Sequence, residues 1–116
     1  MANKEEIRYA IDSIQDKGNH EIIIMHCITS YPTKPEDANL EMIRTLQKEF
    51  PENIIGFSDH TLGTEVAVFS TFYGSKCIEK HFTLDRDMSG PDHWFSANPT
   101  QLKEWNVKLF IGNTKL

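Results

Sequence analysis

Two short apolar runs in this 116-residue sequence each finish on a histidine. "IIGFSDHTLG" (54–63) places His60 at the tip of the first, and "KCIEKHFTLD" (76–85) places His81 at the tip of the second. Imidazole is the commonest metal-binding side chain and titrates near neutral pH. In parallel α/β architectures the chemistry gathers at the C-terminal ends of the strands. Neighbouring strands lie about 4.8 Å apart. Two imidazoles at adjacent strand ends can therefore share one metal ion and leave positions open for substrate or water. Side-chain alternation puts Ser58 with His60, and Glu79 with His81, on one face. The plainer alternative is that each histidine only hydrogen-bonds in a polar rim. Spacing alone leaves both readings open.

Other polar positions near these ends also carry two readings. Ser58 could donate a hydrogen bond to a phosphate or carboxylate, or be an ordinary rim serine. Asp92, in "SGPDH", could bind a substrate hydroxyl or amide, or brace a turn. Asp59 is expected to support a neighbour or cap a loop. Glu79 and Lys80 are charges inside an apolar run, which is costly unless they are paired; one of them could face a polar interior. His26 falls one position off the parity of Cys27, Thr29 and Tyr31. It and His20 are expected to be structural, while His93, in a polar loop, is open to either role.

The elements that hold these residues follow from periodicity and punctuation. Residues 3–17 read as a helix: Asn3 and Glu6 make a capping-box pattern, and Ile7, Ile11 and Ile14 recur at helical spacing. Gly18 stops it. "EIIIMHCIT" (21–29) is a short Ile-rich run that suits a strand buried on both faces. Thr33 and Glu36 repeat the capping pattern ahead of a helix with Leu40, Ile43, Leu46 and Phe50 on one face and Pro51 at its stop. Residues 54–60 are predicted as the second strand, 62–73 as the third helix closed by Gly74, and Cys77 to Phe82 as the third strand. "TLDRDMSGPDHWFSA" reads as a long polar loop. Asn98, Pro99 and Gln101 then open a last helix whose apolar face is Leu102, Trp105 and Leu109.

The order α-β-α-β-α-β-α implies α/β class, with a parallel sheet and right-handed crossovers. A (β/α)8 barrel takes about 250 residues. The 116 residues present are expected to form one domain (1–116) that is a portion of such a barrel. Unpaired parallel edges would need a partner, another copy or the rest of the barrel to bury them.

Composition narrows the function classes. Net charge is −5, with no basic stripe, which argues against a nucleic-acid partner. Hydrophobic content of 39% and charged content of 25% are ordinary for a globular chain. No apolar run approaches the ~18–20 residues of a membrane span. "MANKEEIRYA" carries no basic-then-apolar leader, so a cytoplasmic location without a membrane partner is expected. Cys27 and Cys77 form no CxxC and are expected to be buried, reduced thiols rather than a disulfide or a structural zinc site.

"HCITSYPTKPEDANL", "IGFSDHTLGTEVAV" and "IEKHFTLDRDMSGPDHWFSANPTQL" closely resemble the sialic acid synthase family (N-acetylneuraminate synthase). Its relatives make legionaminic and pseudaminic acids and spore-coat polysaccharide precursors. The resemblance covers most of the chain. Its text is specific: a CxxxYP loop, SDHT, EKHF and GPDH at these separations. It implies the C-terminal part of a TIM barrel, with the N-terminal barrel half and a small C-terminal antifreeze-like domain absent from this chain. It implies condensation of phosphoenolpyruvate with an N-acetylated hexosamine, N-acetylmannosamine in the best-known case. The product is a nine-carbon 2-keto acid, and phosphate is released.

The resemblance also implies a divalent ion, Mn2+ or Mg2+, held by His60 and His81 and acting as a Lewis acid on the sugar aldehyde. Ser58 matches a phosphoenolpyruvate contact. Thr29 stands near the same substrate where the family places Asn or Ser. Tyr31 and Asp92 match sugar-binding positions. Trp94 stands where the family often has a small or basic residue. No residue of this chain matches a proton-transfer role, so the chain alone is expected to be inactive. Its expected partners are the two substrates and either a second copy or the missing barrel half. Two other readings remain: another metal-dependent barrel enzyme, such as an aldolase or sugar-phosphate isomerase, and a non-catalytic remnant that oligomerises through its open edges. The first of these would not carry the SDHT and GPDH texts together, and the second would not bind a metal.

Overall fold

Asn3 begins the first helix as its capping pattern requires. Its side chain accepts from the Glu6 N–H at 2.9 Å, and the Glu6 carboxylate accepts from the Asn3 N–H at 2.7 Å. The computed structural model describes residues 2–105. In chain order these form α1 (Lys4–Gln15), β1 (Ile23–Cys27), α2 (Glu41–Glu49), β2 (Ile54–Asp59), α3 (Glu65–Phe72) and β3 (Ile78–Lys80). Residues 99–105 are helical again, with the Asn98 side chain accepting from the Gln101 N–H. Trp105 is buried there as expected. Leu109 lies outside the described residues.

The second helix starts later than the capping pattern of Thr33 and Glu36 predicts. Thr33 is spent on the neighbouring strand end instead. Its N–H donates to the His60 carbonyl at 2.9 Å, and its hydroxyl donates to the Ser30 carbonyl at 2.8 Å. A 3-10 turn, Pro35–Asp37, follows, and then Asn39 at φ +48°. Only then does α2 begin.

The three strands form one parallel sheet in the order β1-β2-β3. Each is shorter than its apolar run. Residues at the strand ends turn away into loops, leaving only isolated bridges, Thr33 with Thr61 and Phe82 with Ala97, beyond the ladder. Strand β2 is central, and only Ile54 of its six residues is exposed. Its Ile55 and Phe57 pack with Ile43, Leu46 and Phe50 of the α2 region, Val66 of α3 and Ile11 of α1 to form the core. Among the described residues, no helix is long and apolar enough to cross a membrane.

The opposite face of the sheet carries a different set. Met25, Gly56 and Cys77 lie at one level, as Cys27, Ser58 and Glu79 do at the next. Both cysteines are free, but only half-buried rather than buried. On this face, the open face below, Met25, Cys27 and Cys77 are half-buried, Gly56 and Ser58 buried and Glu79 exposed. Gly56 is required by close approach: a Cβ there would sit 2.8 Å from the Cys77 carbonyl oxygen and press on the Met25 sulfur. Overpacking of this kind typically costs about 1–3 kcal/mol. Gly56→Ala is expected to lose that much stability in a urea denaturation series. An unchanged midpoint would mean that the sheet relaxes freely at this level.

Candidate functional site

His60 and His81 lie one residue past the last paired position of β2 and β3, and parity turns both toward the open face. Their ring centroids are 5.3 Å apart, with planes at 74°. Tyr31, from the loop after β1, lays its ring against His60 at 4.2 Å and reaches His81 at 5.8 Å. Phe95 closes the group, 5.1 Å from His81 and 6.0 Å from Tyr31. Four rings from three strand-to-helix connections thus converge on one spot.

The hydrogen bonds around His60 fix its tautomer. Nδ1 lies 2.8 Å from the Ile28 carbonyl oxygen, which can only accept. Nδ1 must therefore carry the proton, leaving a lone pair on Nε2. Cys27 Sγ sits 3.8 Å from the same Nδ1. Ser58 Oγ lies 3.4 Å from Nε2, but its proton goes to Glu79 Oε1 at 2.7 Å. The Nε2 lone pair is thus not claimed by the serine. A backbone or carboxylate partner on the far nitrogen is the usual way a metal-binding imidazole is oriented. His60 is 6% exposed, so its ring is held as well as oriented. His81 is half-buried, with Nδ1 3.9 Å from Asp92 Oδ2, too far for a hydrogen bond.

Glu79 resolves the question of which strand charge faces inward: it points to the open face beside Ser58. Lys80 points the other way, into the helix layer, where its Nζ lies 2.8 Å from Asp59 Oδ2. Asp59 also accepts from the Thr61 N–H at 2.9 Å, the loop-capping role expected of it.

The remaining predicted positions are spread around this group. Thr29 is exposed, two residues beyond β1. Asp92 is largely exposed at the rim. His26 is buried, its Nε2–H donating to the Ala38 carbonyl at 2.9 Å and its ring stacked on Phe57, a structural role as parity requires. His93 is tied to Thr83 Oγ1 at 2.7 Å within its loop, and His20 is exposed. Phe95 is not among the positions that spacing singles out. Its signal was present: "HWF" is the one aromatic pair within an otherwise polar loop, and 3% exposure shows it is anchored.

Comparison with known proteins follows the same residues. The NeuB family profile matches residues 1–110. The chain is 45% identical over 104 residues to the spore coat polysaccharide biosynthesis protein SpsE of Bacillus subtilis, covering 89% of this chain and 28% of that one. The crystal structure of SpsE superposes with a TM-score of 0.90 at 42% identity, over 96% of this chain and 31% of that one. It is 37% identical over 107 residues to the N,N'-diacetyllegionaminic acid synthase of Legionella pneumophila, covering 89% of this chain and 30% of that one. A crystal structure of N-acetylneuraminic acid synthetase from Leptospira borgpetersenii, in complex with citrate, superposes with a TM-score of 0.84 at 36% identity, over 100% of this chain and 42% of that one. The chain spans about a third of the length of the curated relatives it matches. Its parallel α/β sheet is consistent with part of a TIM barrel. The chain belongs to the NeuB family, whose named members include sialic, legionaminic and pseudaminic acid synthases.

Proposed function

We propose that this chain is the metal-bearing part of a nonulosonic acid synthase. The reaction condenses phosphoenolpyruvate with an N-acetylated hexosamine, such as N-acetylmannosamine, and releases phosphate. His60 and His81 are the proposed ligands of Mn2+ or Mg2+. The observation that carries this reading is the pair of imidazoles 5.3 Å apart at adjacent strand ends, one of them with its Nε2 lone pair left free. Zinc–imidazole bonds, for scale, are about 2.0–2.1 Å long, so rings at this separation are within reach of one ion. Among the described residues no group of three His, Cys, Asp or Glu side chains converges as a metal cage. Two protein ligands leave room for substrate oxygens. A bound divalent ion supplies Lewis acidity toward a carbonyl oxygen.

The chain's own residues then bind and orient. Ser58 faces the substrate side with its hydroxyl proton on Glu79. To receive an anion such as phosphoenolpyruvate, that hydroxyl turns from the carboxylate to the incoming oxygen. Thr29 offers a second hydroxyl, exposed beside the same strand ends. Tyr31, half of whose surface is exposed, presents its ring edge and hydroxyl to a sugar, and Asp92 presents a carboxylate to sugar hydroxyls or the amide. We place proton transfer outside this chain, so the chain alone does not turn over. A cytoplasmic setting, and pairing of the open sheet edges with the rest of a barrel or a second copy, belong to the same proposal.

Titration of the purified chain with Mn2+, followed by electron paramagnetic resonance, tests it. One saturable site is expected, and added phosphoenolpyruvate should change the spectrum of the bound ion. A free-ion signal that stays undiminished overturns the metal assignment. Steady-state release of phosphate with both substrates would overturn the proposed inactivity of the isolated chain.

A further inference from the structure

Lys80 and Asp59 form an ion pair in the helix-facing layer, where their side chains are 3% and 0% exposed. Taking two charges out of water is expensive, and well-packed apolar residues would often serve stability as well or better. The arrangement of partners suggests what the pair does. Lys80 Nζ donates to Asp59 Oδ2 at 2.8 Å and to the Thr61 carbonyl oxygen at 2.7 Å. Asp59 Oδ1 accepts from the Thr61 N–H at 2.9 Å. One ammonium thus grips the chain on both sides of His60, at residue 59 and at residue 61. The same lysine is the residue directly before His81.

The location in the ladder matters as much as the bonds. Asp59 opposite Lys80 is the last registered pair between β2 and β3. His60 and His81 lie one step beyond, where the ladder no longer sets their separation. Their carbonyls are instead held by two different loops, His60 by the Thr33 N–H and His81 by the Ala97 N–H. The buried pair is therefore the last direct tie between the two strand ends on which the rings ride. Side chains alternate along a strand. A clamp on the helix side can thus fix the imidazoles on the open side without occupying any of their space.

We propose that Asp59 and Lys80 are positioning residues that set the span between the His60 and His81 imidazoles and thereby the affinity of the site for a divalent cation. The effect on affinity rests on the metal assignment above; the effect on ring separation does not.

The test uses the whole chain as wild type, Lys80→Met and the double variant Asp59→Asn with Lys80→Met. The double variant leaves no unpaired buried charge, and Asn retains an acceptor for the Thr61 N–H. It therefore serves if the single variant does not fold. Two quantities are read: Mn2+ affinity by electron paramagnetic resonance, and the ring-to-ring nuclear Overhauser cross-peak between His60 and His81. Loss of a supporting partner typically weakens metal binding by about 10–100-fold. That weakening is expected in the folded double variant, together with a diminished cross-peak and retained core methyl shifts. A merely structural pair would lower the melting temperature and move neither readout in the folded protein. A folded double variant with wild-type affinity and an undiminished cross-peak overturns the proposal. If the wild type itself binds no Mn2+, the metal assignment fails, and the cross-peak alone decides whether the pair positions the rings.

Discussion

His60→Ala is expected to abolish saturable Mn2+ binding by this chain. The loss should exceed the about 10–100-fold that removing a ligand's supporting partner produces, because the ligand itself is gone. His60 is the better-prepared of the two rings: nearly buried, with Nδ1 committed to the Ile28 carbonyl. Its removal takes away the carbonyl's short partner and leaves only the longer contact from the Thr33 hydroxyl at 3.4 Å, at a cost of up to about 1–3 kcal/mol. The variant should therefore remain folded, and circular dichroism alongside the paramagnetic titration separates lost binding from lost structure. His81→Ala should give the same binding result with a smaller effect on stability, since its ring is half-buried. A folded His60→Ala chain that keeps wild-type affinity would place the ion elsewhere.

Lys80→Met alone is expected to lower the unfolding free energy by about 3–5 kcal/mol, the usual consequence of leaving one member of a buried ion pair uncompensated. The reason is asymmetry. The Asp59 carboxylate, fully buried, keeps its Thr61 N–H bond but loses the cation that offsets its desolvation. The methionine fills most of the vacated volume, so a cavity is not the cause. Total stability of a domain is typically only about 5–15 kcal/mol, and urea unfolding of this variant should show a much earlier midpoint. Neutralising Asp59 as well should return much of the loss. If the single variant is as stable as the wild type, the pair is wetter than its burial indicates.

The histidine pair was legible because it depends on two things a sequence carries: where an apolar run stops, and which residues share parity. The same reasoning placed His26 on the structural side and one of Glu79 and Lys80 on the inner face. Asp59 meeting Lys80 was not legible, because it requires the register between two strands far apart in sequence. Hydrophobic pattern fixes which face a residue takes, not which residue lies opposite. The start of α2 departs from the capping pattern for a related reason. A threonine three residues before a glutamate is a capping signal only if its hydroxyl and N–H are free, and a strand end had already engaged Thr33. Phe95 was missed because loop conformation decides whether an aromatic side chain folds back over the site. The cysteines are half-buried rather than buried, because their burial depends on what packs across the open side of the sheet, which the hydrophobic pattern of a strand does not specify.

The opposite orientation of Glu79 and Lys80 bears on how this segment can change over evolutionary time. Strand β3 spans only three residues, yet its neighbours in sequence serve two compartments of opposite polarity. Deleting or inserting a single residue there would exchange them, because a one-residue slip sends every side chain to the other face. The ammonium would then lie among the imidazoles, and the carboxylate would be driven against the helices with Asp59. A substitution at this strand perturbs one side chain's partners; a change in its length displaces all of them at once. Length variation in this part of the chain is therefore expected in the largely exposed turns between Leu84 and Pro91, where the backbone can grow or shrink without transferring a charge across the sheet.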